Sequence, residues 1–210
     1  MIRLSSTRRP ALGALYDAIS DRWQAGLDRL GYPAAYAELF RAGPAQAPGR
    51  MLDLGTGSGA FAMAALQRCG PADRVVLLDI SDRMLGEAAS RLAATGVAAE
   101  TLAAPVGSDA LAPEVFDTVL AAHVIEHLDD VPAALAWCRR RLVSGGHFYL
   151  CVSRPHWCTA LLRWKWGHRA YAPDRMMALL AGAGFRDIRH VAFSSGPPSR
   201  TSAGYIATAP

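Results

Sequence analysis

The segment Asp53-Leu-Gly-Thr-Gly-Ser-Gly59, followed twenty residues later by Asp79, is where residue types and spacing point most directly to chemistry. Gly55, Gly57 and Gly59 let the backbone turn tightly and approach a ligand that a Cβ would exclude. Asp53 lies inside the strand-like run Met51-Leu-Asp-Leu54, and Asp79 ends the apolar run Val75-Val76-Leu77-Leu78. A carboxylate at that second tip is placed to accept hydrogen bonds from both hydroxyls of a ribose. Two imidazoles, His123 and His127, follow a further apolar run, with Glu126 between them. An imidazole titrating near neutrality can take a proton from a hydroxyl, a phenol or an acidic carbon. His156 opens a third candidate group, the segment SRPHWCTALLRWKWGHRAY (153–171), with Trp157, Trp164 and Trp166.

Alternating elements are needed to position these residues. Leu12, Leu15, Ile19, Trp23, Leu27 and Leu30 recur at helical steps, and Gly31-Tyr32-Pro33 interrupts them before a short helix through Tyr36, Leu39 and Phe40. A turn-rich joint (43–49) leads to a strand at 50–54, a helix at 58–69, a strand at 74–79 and a helix at 82–94 capped by Ser81 or Asp82. Gly96 stops that helix. Strands are expected at 97–102 and 116–121, a helix at 131–142 ending at Ser144-Gly145-Gly146, and a strand at 147–152. Residues 173–182 read as helix, and strands at 185–194 and 203–208 close the chain around Gly196-Pro197-Pro198. Strand–helix alternation implies a parallel sheet wrapped on both faces, and the last two strands imply an antiparallel addition at one edge.

Bulk properties exclude several classes. The chain has 210 residues, 51% hydrophobic and 19% charged, an ordinary globular profile. No apolar run is long enough to span a membrane, and Arg3, Arg8 and Arg9 are followed by no signal-peptide core, so a cytoplasmic protein is expected. A net charge of +4 without a dense basic run does not argue for nucleic acid. Cys69, Cys138, Cys151 and Cys158 form no CxxC pair, so no metal site is expected.

A glycine loop alone is weak evidence, because Gly55-x-Gly57-x-x-Ala60 also satisfies the dinucleotide fingerprint. Asp53 inside the motif, the lack of a Tyr-x-x-x-Lys pair at Lys165, and the small remainder of the chain count against a nicotinamide enzyme. DLGTGSG (53–59), Asp79, FDTVLAAHVIEHL (116–128), RRRLVSGGHFYL (139–150) and LLAGAGF (179–185) together resemble the class I S-adenosylmethionine-dependent methyltransferases. The resemblance spans about residues 50–208 and is nearest the branch with ubiquinone and menaquinone biosynthesis methyltransferases. It implies one doubly wound, mostly parallel, seven-stranded Rossmann-like α/β domain over 1–210, with an antiparallel edge strand and N-terminal cap helices. Within it, 11–42 would be the cap, 50–152 the cofactor-binding core, 153–172 the acceptor segment and 173–210 the rest of the sheet.

The same resemblance assigns roles. Gly55, Thr56, Gly57 and Gly59 would meet the methionine part of S-adenosylmethionine, with Asp53 organising the loop. Asp79 would take the ribose, Ile80 and Met84 would lie beside adenine, and Ala121 and Ala122 would offer backbone groups. Tyr16, in LYDAISDRW, resembles a capping tyrosine of relatives. Many relatives carry Gly-Asp after the third strand; here Ala103-Ala104-Pro105 stands there, leaving Ala104 or Asp109 to meet adenine. Trp23, Trp157, Trp164 and Trp166 would wall a flat acceptor, although packing or lipid contact would also explain tryptophans in that segment. His123, His127 and His156 are the candidate bases, and Glu126 reads as a helix-start residue. Without an Asn/Asp-Pro-Pro-aromatic motif at 121–124, oxygen or carbon of a small cyclic acceptor is expected. An RNA methyltransferase and a binding protein without turnover are the alternatives, and a monomer or homodimer is expected.

Overall fold

The computed structural model describes residues 25–111, 113–156 and 169–210. The expected helix before residue 25 and the expectations on Tyr16, Trp23, Trp157, Trp164 and Trp166 lie outside them. Residues 25–30 are helical, and Gly31 separates them from α1 (Tyr32–Ala42). Then follow β1 (Arg50–Leu54), α2 (Ala60–Cys69), β2 (Arg74–Asp79), α3 (Asp82–Ala93), β3 (Glu100–Ala103) and β4 (Phe116–Ala122). The chain continues through α4 (Val131–Arg140), β5 (Leu142–Ser153), α5 (Pro173–Gly182), β6 (Arg186–Val191), a short α6 (Pro198–Thr201) and β7 (Ser202–Thr208).

The seven strands form one sheet in the order β3-β2-β1-β4-β5-β7-β6. β7 alone runs against its neighbours, pairing antiparallel with β5 and β6, so the expected addition is a β7–β6 pair at one edge. The other pairings are parallel. Strand order reverses between β1 and β4, which opens a crevice beyond their carboxyl ends.

Alternation along the strands divides the core. Met51, Val75, Leu77, Leu120, Tyr149 and Cys151 face α1, α2 and α3 on one side, while Leu52, Leu54, Val76, Leu78, Phe148 and Leu150 face α4 and α5 on the other. Cover on both faces is why these strands read as continuous apolar runs rather than alternating ones. Each fully buried leucine or valine contributes about 1.5–3 kcal/mol. Ser81 caps α3 by accepting the Met84 N–H at 3.1 Å, and Asp130 caps α4 through Ala133 at 2.9 Å.

Several boundaries differ from the sequence reading, among them the end of β6 at Val191 rather than 194. The fourth helix stops at Arg140 and β5 starts at Leu142, five residues ahead of the expected strand. Phe116 donates its N–H to the Arg141 carbonyl at 2.7 Å, and Gly145 and Gly146 exchange backbone bonds with Ala209, so the Ser-Gly-Gly stretch joins the sheet instead of ending a helix. β3 starts at Glu100 because Val97 donates back to the Leu92 carbonyl at 3.1 Å, closing the end of α3.

Candidate active site

A cleft with about 940 Å³ of empty space, counting its open mouth, lies at the switch point. One wall is the glycine turn after β1. Asp53 Oδ2 accepts the Thr56 hydroxyl at 2.7 Å, and the Thr56 N–H donates to the Leu78 carbonyl at 3.1 Å. Gly57 donates to Asp79 Oδ2 at 2.9 Å and Ser81 donates to Asp79 Oδ1 at 3.1 Å. Asp79 therefore braces the loop as well as ending β2. A carboxylate has about four acceptor sites, so holding two backbone donors is compatible with also meeting ribose hydroxyls. At Gly55, with φ +59°, a Cβ would come within 2.6 Å of Val124 Cγ2, so this turn needs glycine.

Asp53 is buried, lines the cleft, and leaves Oδ1 without a hydrogen-bond partner among the described residues. Burial pushes its carboxyl up to about 7, opposed by the Thr56 hydroxyl and the Ala62 N–H, while Asp79 adds to the rise.

Leu78, Ile80, Met84, Ala104 and Val106 make an apolar slot beside Asp79. Asp109 is exposed in a one-turn helix (Asp109–Leu111) and does not line the cleft; the wall after β3 is Ala104 and Val106. The opposite end holds Ala122, His123 and His127. His123 Nδ1 meets Glu126 Oε1 at 3.1 Å, and its Nε2 lies 3.5 Å from Cys151 Sγ. Burial is the largest influence on Glu126 and would raise its carboxyl, but the His123 hydrogen bond and the two neighbouring imidazoles hold it down at about 2. His127 is lowered by burial, against the pull of Glu126.

The structure thus gathers Asp53, Gly55, Thr56, Gly57, Asp79, Ile80, Met84, Ala104, Ala122, His123 and His127 around one cleft. Gly59, Ala121 and His156 are not among its lining residues. A Cβ at Gly59, with φ +78°, would meet the Ala88 Cβ at 3.1 Å, so this glycine lets α2 approach α3. Ala121 sits within β4, paired with Leu54 and Leu150. Glu126 does not cap its turn; its side chain bonds His123 and Ser153.

Tyr36, Phe61, Val106 and Leu128 also line the cleft and were missed by motif reasoning. Tyr36 and Phe61 stack edge-on, with ring centroids 4.7 Å apart. Tyr36 belongs to the apolar stripe of α1, which conceals its second role.

Residues 52–150 match the family described as "Methyltransferase domain". This is a class I methyltransferase domain. The chain is 34% identical over 149 residues to the ubiquinone/menaquinone biosynthesis C-methyltransferase UbiE of Methylobacterium nodulans, covering 67% of this chain and 55% of that protein. It is 34% identical over 103 residues to a ubiquinone biosynthesis O-methyltransferase of Rhizobium etli, covering 49% of this chain and 40% of that one. The chain spans about half the length of the curated relatives it matches.

Among solved structures, the N-methyltransferase NodS of Bradyrhizobium japonicum, in complex with S-adenosylhomocysteine, superposes with a TM-score of 0.70 at 20% identity, covering 94% of this chain and 98% of that one. A phosphoethanolamine N-methyltransferase of Haemonchus contortus in complex with S-adenosylmethionine gives a TM-score of 0.65 at 16% identity, covering 93% and 60%. At those identities the domain shares their fold. Among the described residues, no helix is long and apolar enough to cross a membrane, and no cluster of metal-ligating side chains occurs.

Proposed function

We propose that this chain uses S-adenosylmethionine to methylate oxygen or carbon of a small aromatic or cyclic metabolite. The observation that carries the donor half is the glycine turn after β1 on the cleft wall, which Asp79 braces through Gly57 and Ser81 with Asp53 buried beside it. In this reading Asp53 receives the donor's ammonium, Asp79 its ribose, and the slot of Leu78, Ile80, Met84, Ala104 and Val106 its adenine. When bound, the sulfonium supplies an activated methyl that passes to the acceptor's electron pair while the broken S–C pair stays on sulfur.

The chain's own work is alignment, exclusion of water and proton removal. His127 lines the same cleft and is kept neutral by burial, so it serves as the base for an acceptor O–H or C–H. Support for the acceptor class comes from the C- and O-methyltransferases among the relatives. Incubation with methyl-labelled donor and a panel of phenols, quinols and cyclic 1,3-diketones tests it. Label should appear on at least one of these acceptors and fall sharply in His127→Gln. Transfer to RNA alone would overturn the acceptor class.

A further inference from the structure

Glu126 is 2% exposed and sits beneath the cleft wall, outside the lining residues. Its Oε1 accepts both the N–H and the hydroxyl of Ser153, each at 3.0 Å, and meets His123 Nδ1 at 3.1 Å. Its Oε2 is buried without a partner among the described residues. A carboxylate at this depth keeps its charge only against donors and a counter-charge, and His123 is the touching group that can supply one.

His123 is correspondingly constrained. It adopts φ +55°, one of two non-glycine residues with positive φ among those described. Such a conformation costs about 1–3 kcal/mol and persists where surroundings impose it. Here the imposing contacts are the Glu126 carboxylate, the bond from the His123 N–H to the Cys151 carbonyl at 2.8 Å, and the edge-on Tyr32 ring with centroids 5.2 Å apart. The His123 side chain remains 20% exposed on the cleft, so a charge on the imidazole would stand at the surface with its counter-ion behind it.

We propose that Glu126 is a positioning residue of the transfer site, fixing His123 in the cleft wall and supplying the counter-charge for an imidazolium that faces an ionised acceptor. This rests on the reading above that the acceptor loses a proton from oxygen or carbon. The titratable groups around His123 are Tyr32 from α1, Cys151 from β5, and Glu126 and His127 from the turn after β4. Burial works against charging His123 and the Glu126 carboxylate bonded to Nδ1 works for it, with Cys151 and Tyr32 adding only as far as they ionise, and the direction is upward from the ordinary histidine value. His127 is pushed the other way. Two neighbouring imidazoles with separated charge states suit different tasks, His127 removing the proton and His123 meeting the resulting negative charge.

Histidine-labelled protein followed by NMR over a pH series tests this, with the His123 signal identified by its loss in His123→Gln. The wild-type imidazole should stay protonated through neutral pH, and Glu126→Gln should lower its midpoint by about one pH unit or more. In the presence of S-adenosylhomocysteine at about pH 8, the wild type should bind ionised 4-nitrophenol about tenfold more tightly than nitrobenzene, and Glu126→Gln should lose that preference. An unmoved His123 midpoint in folded Glu126→Gln, or equal affinity of the wild type for the two probes, would overturn the proposal. If Glu126→Gln does not fold, the wild-type probe comparison decides alone. Calorimetry with S-adenosylhomocysteine on the same samples separates the two claims. No binding to the wild type sinks the donor reading, whereas binding with an unmoved His123 sinks only the role of Glu126.

Discussion

The two ends of the cleft are held together in different ways. At the end proposed for the donor, Asp53 meets Thr56 three residues on, Asp79 meets Ser81 two residues on, and Gly57 meets Asp79 twenty-two residues on, across the β1–β2 pairing. At the methyl-transfer end His123 and Glu126 meet Cys151 and Ser153 across 27 to 30 residues, through the β4–β5 pairing. The donor end is a backbone loop tied to carboxylates. The other end is a buried carboxylate bonded to a strained, partly exposed histidine. Both ends need sheet pairing, β1 with β2 for the first and β4 with β5 for the second, but the first is built on backbone donors of a glycine turn and the second on side chains.

Asp79→Ala should break the first end most completely, because the two backbone anchors go together with the proposed ribose acceptor. Affinity for S-adenosylmethionine should fall by about 100-fold or more in calorimetry. A change within about threefold, in a folded variant, would mean that this end does not hold the donor. Gly55→Ala comes next, since the new Cβ would meet Val124 Cγ2 at 2.6 Å and the residue keeps φ +59°. We expect a loss of about 2–4 kcal/mol in chemical denaturation, recovered only in part by adding Val124→Ala. Full recovery would show that packing alone demands glycine there.

A pH series sharpens the contrast in charge. The Asp53 carboxyl is raised to about 7, so the folded state favours its protonated form. That contribution is full below the unfolded carboxylate value and disappears as pH rises through about 7. Glu126 is the reverse, since its value of about 2 gives stability above the ordinary glutamate range that is lost as pH falls through 2. Asp53 should therefore take stability from the ligand-free chain between about pH 4 and pH 7, by at most about 1.4 kcal/mol per unit. The lowered His127 works against this, its contribution rising with pH below the ordinary histidine value, and Asp53→Asn should remove the falling component. A wild-type curve of the same shape as the variant's would contradict the raised carboxyl. The smallest effect belongs to Ser153→Ala, which removes one of the donors to Glu126. It should cost about 1–2 kcal/mol and leave S-adenosylhomocysteine affinity unchanged. A marked loss of that affinity would mean that the two ends are one unit.

The same contrast explains what could be read from the chain. Asp53, Gly55, Gly57 and Asp79 were legible because strand, turn and carboxylate follow one another within 53–79, and the parallel sheet with its antiparallel edge addition followed from the alternation of elements. Gly59 belongs to that motif by spacing, yet its close neighbour is Ala88 on α3, a contact that no local pattern reveals. Cys151 and Ser153 gain their places from the register that sets Cys151 beside Ala122, and Glu126 reads as a helix-start residue until that register is known. Tyr36 was hidden because a cleft-lining aromatic and a core aromatic occupy the same helical stripe. The early start of β5 was hidden because Ser144-Gly145-Gly146 pairs with Ala209 at the far end of the chain.

The central claim is that the turn between Asp53 and Asp79 holds S-adenosylmethionine. Equilibrium binding of S-adenosylmethionine in competition with nicotinamide adenine dinucleotide, on the purified chain, tests it most directly. The account predicts one molecule of S-adenosylmethionine bound per chain and no displacement by the dinucleotide. Binding of the dinucleotide in preference, or no binding of S-adenosylmethionine, would contradict it.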